Sequence, residues 1–249
     1  MRIMWQIIKH TIQQVRRDRI FRILLSSFFV GLCVVIALSF LVLDQQKYVF
    51  TTFVISLAEI LIFLRILFAV STRYTTHKDQ KFFVLYYTNG ISPSKVYVAT
   101  SWGYILMVCM IYVFIWSIAS IAALLFDMFT ISLVVSLLAS MIKILAMLVT
   151  VLTLSVVVRQ LVAIIWTVVV YILAHSTSFI HQLAQNTESS ILSIVYKGVY
   201  VVLPPFDYLS YIDQYLQNSM LSFSVVMHII FYIFVIRMIW YSMLSKKII

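Results

Sequence analysis

The chain has 249 residues, 63% of them hydrophobic and only 10% charged, with a mean hydropathy of +1.07. A water-soluble domain of that length needs a far more polar surface, so the composition points to residence in a membrane. The formal net charge of +10 does not call for nucleic acid, because the basic residues flank hydrophobic segments, where topology and anionic lipid account for them.

Residues 3–19 read as an amphipathic helix lying on the membrane. Met4, Ile8, Ile12 and Val15 recur on one stripe, while Lys9, Gln13, Arg16 and Arg17 face elsewhere. Such a helix serves either as a lipid-surface anchor or as a contact for a cytoplasmic partner. Six hydrophobic blocks follow, at about 23–43, 49–70, 100–125, 131–157, 161–180 and 220–241. Each meets the roughly 20 apolar residues that a helix needs to cross a bilayer. The first is too long for the hydrophobic core of a secretory signal, so it reads as a retained span. No proline falls inside a block, and all six are expected to be unbroken helices.

The connections alternate in charge. With the N-terminus cytoplasmic, fourteen of the eighteen Lys and Arg residues fall on the cytoplasmic side, and only Lys47 and Lys197 on the other. That asymmetry predicts six spans with both termini cytoplasmic. The expected fold is therefore an all-α membrane protein, a single transmembrane domain over 1–249.

Two connections carry structure of their own. Between spans two and three, Phe82 to Tyr87 runs into Asn89-Gly90, a helix stop that tolerates positive φ. Ser92-Pro93 then reads as an N-cap with proline at the first helical position. The spacing predicts a short cytoplasmic helix at roughly 79–88, a tight break, and a new helix entering span three. Between spans five and six, Ile191 to Leu203 is apolar but too short to cross, the length of an interfacial or re-entrant helix, and Pro204-Pro205 ends it.

Two ionisable residues lie near mid-span, Glu59 in the second block and Lys143 in the fourth. A charge at that depth costs about 2.5–3.5 kcal/mol on insertion scales, so both should avoid lipid. Either they approach each other or line a shared polar cavity where a substrate is held, or they form a structural ion pair. Arg65 and Arg237 lie nearer the cytoplasmic ends, where a long side chain can snorkel to water. Cys33 and Cys109 both fall in spans and read as packing residues. His175 and His181 are six apart, poor helical spacing for two ligands of one metal, so no metal site is expected. The sequence has no Walker A spacing, no HExxH, and no nucleophile–His–acid set. Neither a catalytic residue nor a bound cofactor is expected.

Leu85-Tyr86-Tyr87-Thr88-Asn89-Gly90-Ile91-Ser92-Pro93-Ser94-Lys95, before span three, and Leu203-Pro204-Pro205-Phe206-Asp207, before span six, carry a family likeness. With the amphipathic leader and the six-block layout, the chain resembles the small six-span permease subunits of ABC transporters of the type-2 permease family. The family's Pro-x-Ser-Arg order becomes Ser92-Pro93-Ser94-Lys95 here, and Lys78-Asp79-Gln80-Lys81 replaces its acidic and Gly-Thr residues. The resemblance implies an exporter subunit of the bacterial inner membrane. It implies pairing with a second, identical or homologous permease, and docking of two copies of a separate ATPase that binds ATP and Mg. It also implies that the helix at 79–88 couples ATPase closure to the spans, with Lys78, Asp79, Lys81, Tyr86, Tyr87, Asn89 and Gly90 as contacts. Glu59 and Lys143 would then line the substrate pathway. An ion-coupled secondary transporter or channel using Glu59 and Lys143, or a scaffold subunit of a membrane complex, is the alternative.

Overall fold

The computed structural model describes residues 2–17, 19–42, 45–70, 92–186, 190–210 and 219–247, and among them every regular element is helical. In chain order these are α1 (Arg2–Arg17), α2 (Arg19–Leu41), α3 (Gln46–Arg65) with a π-helical turn (Ile66–Val70), α4 (Pro93–Leu125) and α5 (Ile131–Val157). They continue as α6 (Gln160–Ala174), α7 (Thr177–Asn186), α8 (Ser190–Val202), α9 (Phe206–Ser210) and α10 (Ser219–Lys247). Four of these helices are long and apolar enough to cross a membrane, and α6 with α7 makes a fifth if the bent pair counts as one crossing.

The core sits between α3, α4 and α5. Helix α5 is the most enclosed, with Leu133, Ile144, Met147, Leu148 and Val151 fully buried along it. Helix α2 packs on α3 where a Cβ on Gly31 would stand 2.6 Å from a Leu57 methyl. Without an apolar driving force between helices in lipid, such small-residue contacts let backbones approach and gain van der Waals packing. Thr130 caps α5 by accepting from the Leu133 N–H at 3.3 Å, and its hydroxyl lies 3.5 Å from that of Thr51. The starts of α3 and α5 therefore meet at one end of the bundle, and the two helices run parallel from it.

The turn between α4 and α5 is closed by backbone. The Met128 N–H donates to the Ala123 carbonyl at 2.7 Å and the Asp127 N–H to Leu124 at 3.4 Å. This is the Schellman pattern of a helix C-terminus, and Asp127 supplies its left-handed residue at φ 56°. Aspartate tolerates that conformation better than most residues. At the other end of α4, Ser92 is extended and Pro93 opens the helix, as the dipeptide predicts, yet the Ser92 side chain makes no capping bond.

Helix α4 has 33 residues, about 50 Å at 1.5 Å per residue, more than a bilayer core requires. Its first turns carry α1. Ile7, Val96 and Ala99 form a small buried cluster with Met4 and Ile8 against it, and a Cβ on Gly103 would fall 2.8 Å from Thr11 Cβ. The most buried residues of α1 are thus Ile7 and Thr11, with Met4, Ile8 and Ile12 of the expected stripe half-buried beside them; the Val15 side chain lies outside those described. The close approach of Gly103 draws in Thr11, whose hydroxyl donates to its own Ile7 carbonyl at 2.9 Å and so enters apolar surroundings satisfied. Trp5, Lys9 and Gln13 stay exposed.

The fifth block is not an unbroken helix. It breaks at His175-Ser176, and α7 departs from α6 at 63°. The cause is local: the His175 ring bonds the Tyr171 carbonyl, Ser176 donates to Ile172, and Thr177 donates to Ala174. Polar side chains that satisfy the backbone this way offer it an alternative to continued helix. Helix α8 then ends at Val202, ahead of Pro204-Pro205, and α9 brings the chain back so that the Phe206 ring stands 5.3 Å from His175.

Helix α10 crosses the bundle beside α5, with the Tyr232 and Thr150 hydroxyls 2.9 Å apart. Farther along, the Arg237 guanidinium lies over the Trp102 ring at 4.8 Å. Thr11 on Gly103 and Arg237 on Trp102 together bring α1, the start of α4 and the late part of α10 to one end of the molecule.

Candidate functional site

Glu59 and Lys143 meet inside the bundle. Lys143 Nζ lies 3.6 Å from Glu59 Oε2, and the two residues are only 4% and 6% exposed. Glu59 is the fourteenth residue of α3 and Lys143 the thirteenth of α5, so the parallel pairing of these helices carries both to mid-depth. The 3.6 Å separation is an ion pair and not a tight hydrogen bond.

Three further groups converge on the same carboxylate. Tyr171 donates to Glu59 Oε1 at 3.0 Å, His175 Nε2 stands 3.1 Å from that oxygen, and Ser140 donates to Oε2 at 3.4 Å. The Ser140 and Tyr112 hydroxyls are 2.8 Å apart, extending the network to α4. Phe63 stacks on Tyr171 at 4.1 Å, and Tyr171 contacts the His175 ring at 4.3 Å. A buried carboxylate is costly unless paired and hydrogen-bonded; here Ser140 reaches one oxygen, Tyr171 and His175 meet the other, and the Lys143 ammonium stands alongside.

The His175 ring bridges two parts of the floor: its Nδ1 lies 3.0 Å from the Tyr171 carbonyl and its Nε2 3.1 Å from Glu59 Oε1.

A cleft of about 550 Å³ leads to this floor. Lys47, Tyr48 and Thr130 stand at the end where α3 and α5 begin. Thr51, Thr52, Ser56, Ser132 and Ser136 line the walls, and Glu59 and Lys143 close the series, with Leu209 of α9 on one side. On α5, positions 132, 136, 140 and 143 keep helical spacing, so one polar stripe runs from mouth to floor.

Beside the floor lies Asp207, 6% exposed. Its Oδ2 accepts from the Ser178 N–H at 2.8 Å and the Ser178 hydroxyl at 2.7 Å. The break at His175 exposes the first N–H groups of α7 inside the bundle, and this carboxylate satisfies one where a helix terminus favours negative charge.

Arg65 does not reach water as a snorkelling residue would. It is 2% exposed, at the junction of α3 with the π-helical turn, with Leu24, Phe28, Ile111 and Ile115 nearby. Arg237 is taken up by Trp102 and Trp240, at 4.8 and 5.9 Å. Lys78, Asp79, Lys81, Tyr86, Tyr87, Asn89 and Gly90 lie outside the described residues. Among the described residues no three His, Cys, Asp or Glu side chains are grouped as a metal ion requires.

The floor residues that sequence reasoning missed are Ser140, Tyr112, Tyr171, His175 and Asp207. Tyr171 and His175 carried one available signal: they lie four apart in the fifth block, on one helical face, the spacing of a shared contact. No family model, curated protein or solved structure matches this chain.

Proposed function

We propose that the chain is the membrane-spanning permease subunit of a bacterial ABC exporter, with six spans and both termini in the cytoplasm. It acts with a second permease copy or homologue and with two copies of a separate ATPase, which binds ATP and Mg. ATP-driven closure of the ATPase biases two packings of the spans, giving alternating access. The helix expected at 79–88 conveys that closure.

The observation that supports this reading best is the path from α6 to α10. Helix α6 stops at His175, α7 and α8 form a hairpin, and α9 returns Phe206 and Asp207 to the break before the last long helix. A re-entrant segment of this kind, with a proline–aromatic–aspartate element ahead of the final span, is what the family resemblance implies. A polar cleft that opens at one end and finishes at a charged floor suits one half of an alternating cycle. Co-purification tests the proposal. A Walker-containing ATPase of about 25–30 kDa, one domain in scale, should copurify with the chain and be lost on deleting 79–90. Its absence from intact complexes would overturn the reading.

One observation favours a second reading, an ion-coupled transporter: a carboxylate and an imidazole, Glu59 and His175, lie 3.1 Å apart at the foot of a polar cleft. Transport by this chain alone, driven by an ion gradient, would select it. A scaffold subunit would do neither.

A further inference from the structure

We infer that Asp207 is a second counter-ion for Lys143, and that this lysine, shared between Glu59 on α3 and Asp207 on α9, latches the body formed by α7, α8 and α9 to the bundle.

The three short helices are tied to one another. The Ser193 hydroxyl of α8 donates to the Ala184 carbonyl of α7 at 2.9 Å, Tyr208 of α9 hydrogen-bonds Tyr200 of α8, and Asp207 joins α9 to Ser178 of α7. A joint lies at each end of this body. The α6 ladder stops at His175-Ser176, where the axis turns by 63°. After α8 the chain passes through Pro204-Pro205, neither of which has an N–H to carry a ladder across. Much of the outer surface is bare: Phe179, Ile191, Ile194, Val201 and Val202 are all at least 60% exposed. A unit with a joint at each end and one bare side shifts as a whole at low cost.

The floor of the cleft supplies the hold. Helix α9 packs against α5 with Phe206 and Leu209 buried, and Leu209 lines the same cleft as Glu59 and Lys143. Two residues earlier, Asp207 is buried and acts on the Lys143 charge. Its Oδ2 is taken by Ser178, but its Oδ1 is buried with no hydrogen-bond partner among the described residues. That oxygen is an acceptor in reserve. Lys143 in turn stands 3.6 Å from Glu59 Oε2, outside the roughly 2.7–2.9 Å of a closed charge-assisted bond. Ser140, Tyr171 and His175 hold Glu59 in place, so the lysine is the member that moves. An ammonium with two carboxylates acting on it keeps a partner when α9 shifts, and neither position carries the cost of an unpaired buried charge. A shifting body suits alternating access, and its part in transport rests on that reading; the latch itself needs no ATPase.

The test measures spin-label distances in the full chain, purified in nanodiscs without ATPase and diluted into unlabelled chain. With Cys33→Ala and Cys109→Ala as background, labels go on the exposed positions Ile131→Cys of α5 and Ile194→Cys of α8. Asp207→Asn keeps an acceptor oxygen for Ser178 and removes the charge that Lys143 meets. A second distance holding a tenth or less of the population should grow to about half, the roughly tenfold change that one lost hydrogen bond to a charged group produces. Glu59→Gln with Lys143→Gln removes the latch from its other side and should give the same shift. Adding Asp207→Asn to that neutral pair should add nothing. The distance from Ile131→Cys to Leu161→Cys of α6 should stay fixed throughout. If Asp207→Asn fails to fold, the neutral pair against the unsubstituted floor carries the comparison. No shift in either variant, a shift in Asp207→Asn that the neutral pair lacks, additive shifts, or a parallel change between α5 and α6 would overturn the latch and leave the permease reading standing. Failure of an ATPase to copurify would do the reverse.

Discussion

Asp207 and Ser178 are 29 residues apart and joined twice, by the backbone N–H and by the hydroxyl, both donating to one carboxylate oxygen at 2.8 and 2.7 Å. This contact anchors α9 to the start of α7 and makes the break in the fifth block sustainable, because a helix terminus inside a bundle needs an acceptor for its free N–H groups.

Asp207→Ala should therefore destabilise the fold by about 1–3 kcal/mol, the cost of leaving a buried donor unsatisfied. Asp207→Asn keeps an acceptor oxygen and should lose less. Ser178→Ala removes only the hydroxyl bond. Thermal unfolding of Asp207→Ala, Ser178→Ala and the double variant that combines them gives the coupling directly. Additive losses would mean that the two side chains act independently.

For the floor, Lys143→Ala should be among the most damaging changes. Removing one member of a buried ion pair costs about 3–5 kcal/mol, because the remaining charge stays buried. Replacing Glu59 and Lys143 together by Gln should recover much of that loss. The charge swap, Glu59→Lys with Lys143→Glu, should recover less than the neutral pair. It would place an ammonium where Tyr171 donates and His175 Nε2 faces the carboxylate. Thermal stability in detergent ranks the three variants, and a swap that outperforms the neutral pair would contradict this network.

How much of the site could be seen in the sequence follows from how each residue interacts. Glu59 and Lys143 stand out because charge is expensive in hydrocarbon, and that rule needs no knowledge of packing. Tyr171, Tyr112 and Ser140 carry no such penalty, and their hydroxyls mean nothing until a partner helix is placed beside them. Asp207 is visible in its Pro-Pro-Phe-Asp setting, but its cap partner depends on the return of α9. The break at His175 lacks the proline or glycine that usually marks one. Its only mark is the run His175-Ser176-Thr177-Ser178. Arg65 misleads because distance from a helix end is not distance from water once α2 and α4 cover the side chain.

The α1 contact makes a steric prediction. A Cβ on Gly103 would sit 2.8 Å from Thr11 Cβ and 3.0 Å from Cγ2, so Gly103→Leu should displace α1 from α4. Overpacking of a close contact costs about 1–3 kcal/mol. Amide exchange around Ile7 and Thr11 should rise while α5 stays protected. Thr11→Gly, by removing the clashing Cβ, should partly reverse the effect in Gly103→Ala. Unchanged exchange in Gly103→Leu would show that α1 does not depend on this seat.

The last prediction concerns sidedness. Thr11 rests on Gly103, and Arg237 lies over Trp102 one residue away, so α1 and the late part of α10 occupy the same end of α4. Lys47 lies at the opposite end, where α3 and α5 begin. In intact cells, single cysteines replacing the exposed residues Trp5 and Ser242 should label from one face of the membrane, and one replacing Lys47 from the other. Labelling of Trp5→Cys and Ser242→Cys from opposite faces would be incompatible with both contacts to α4, since a single helix cannot seat them at one end while they face different compartments.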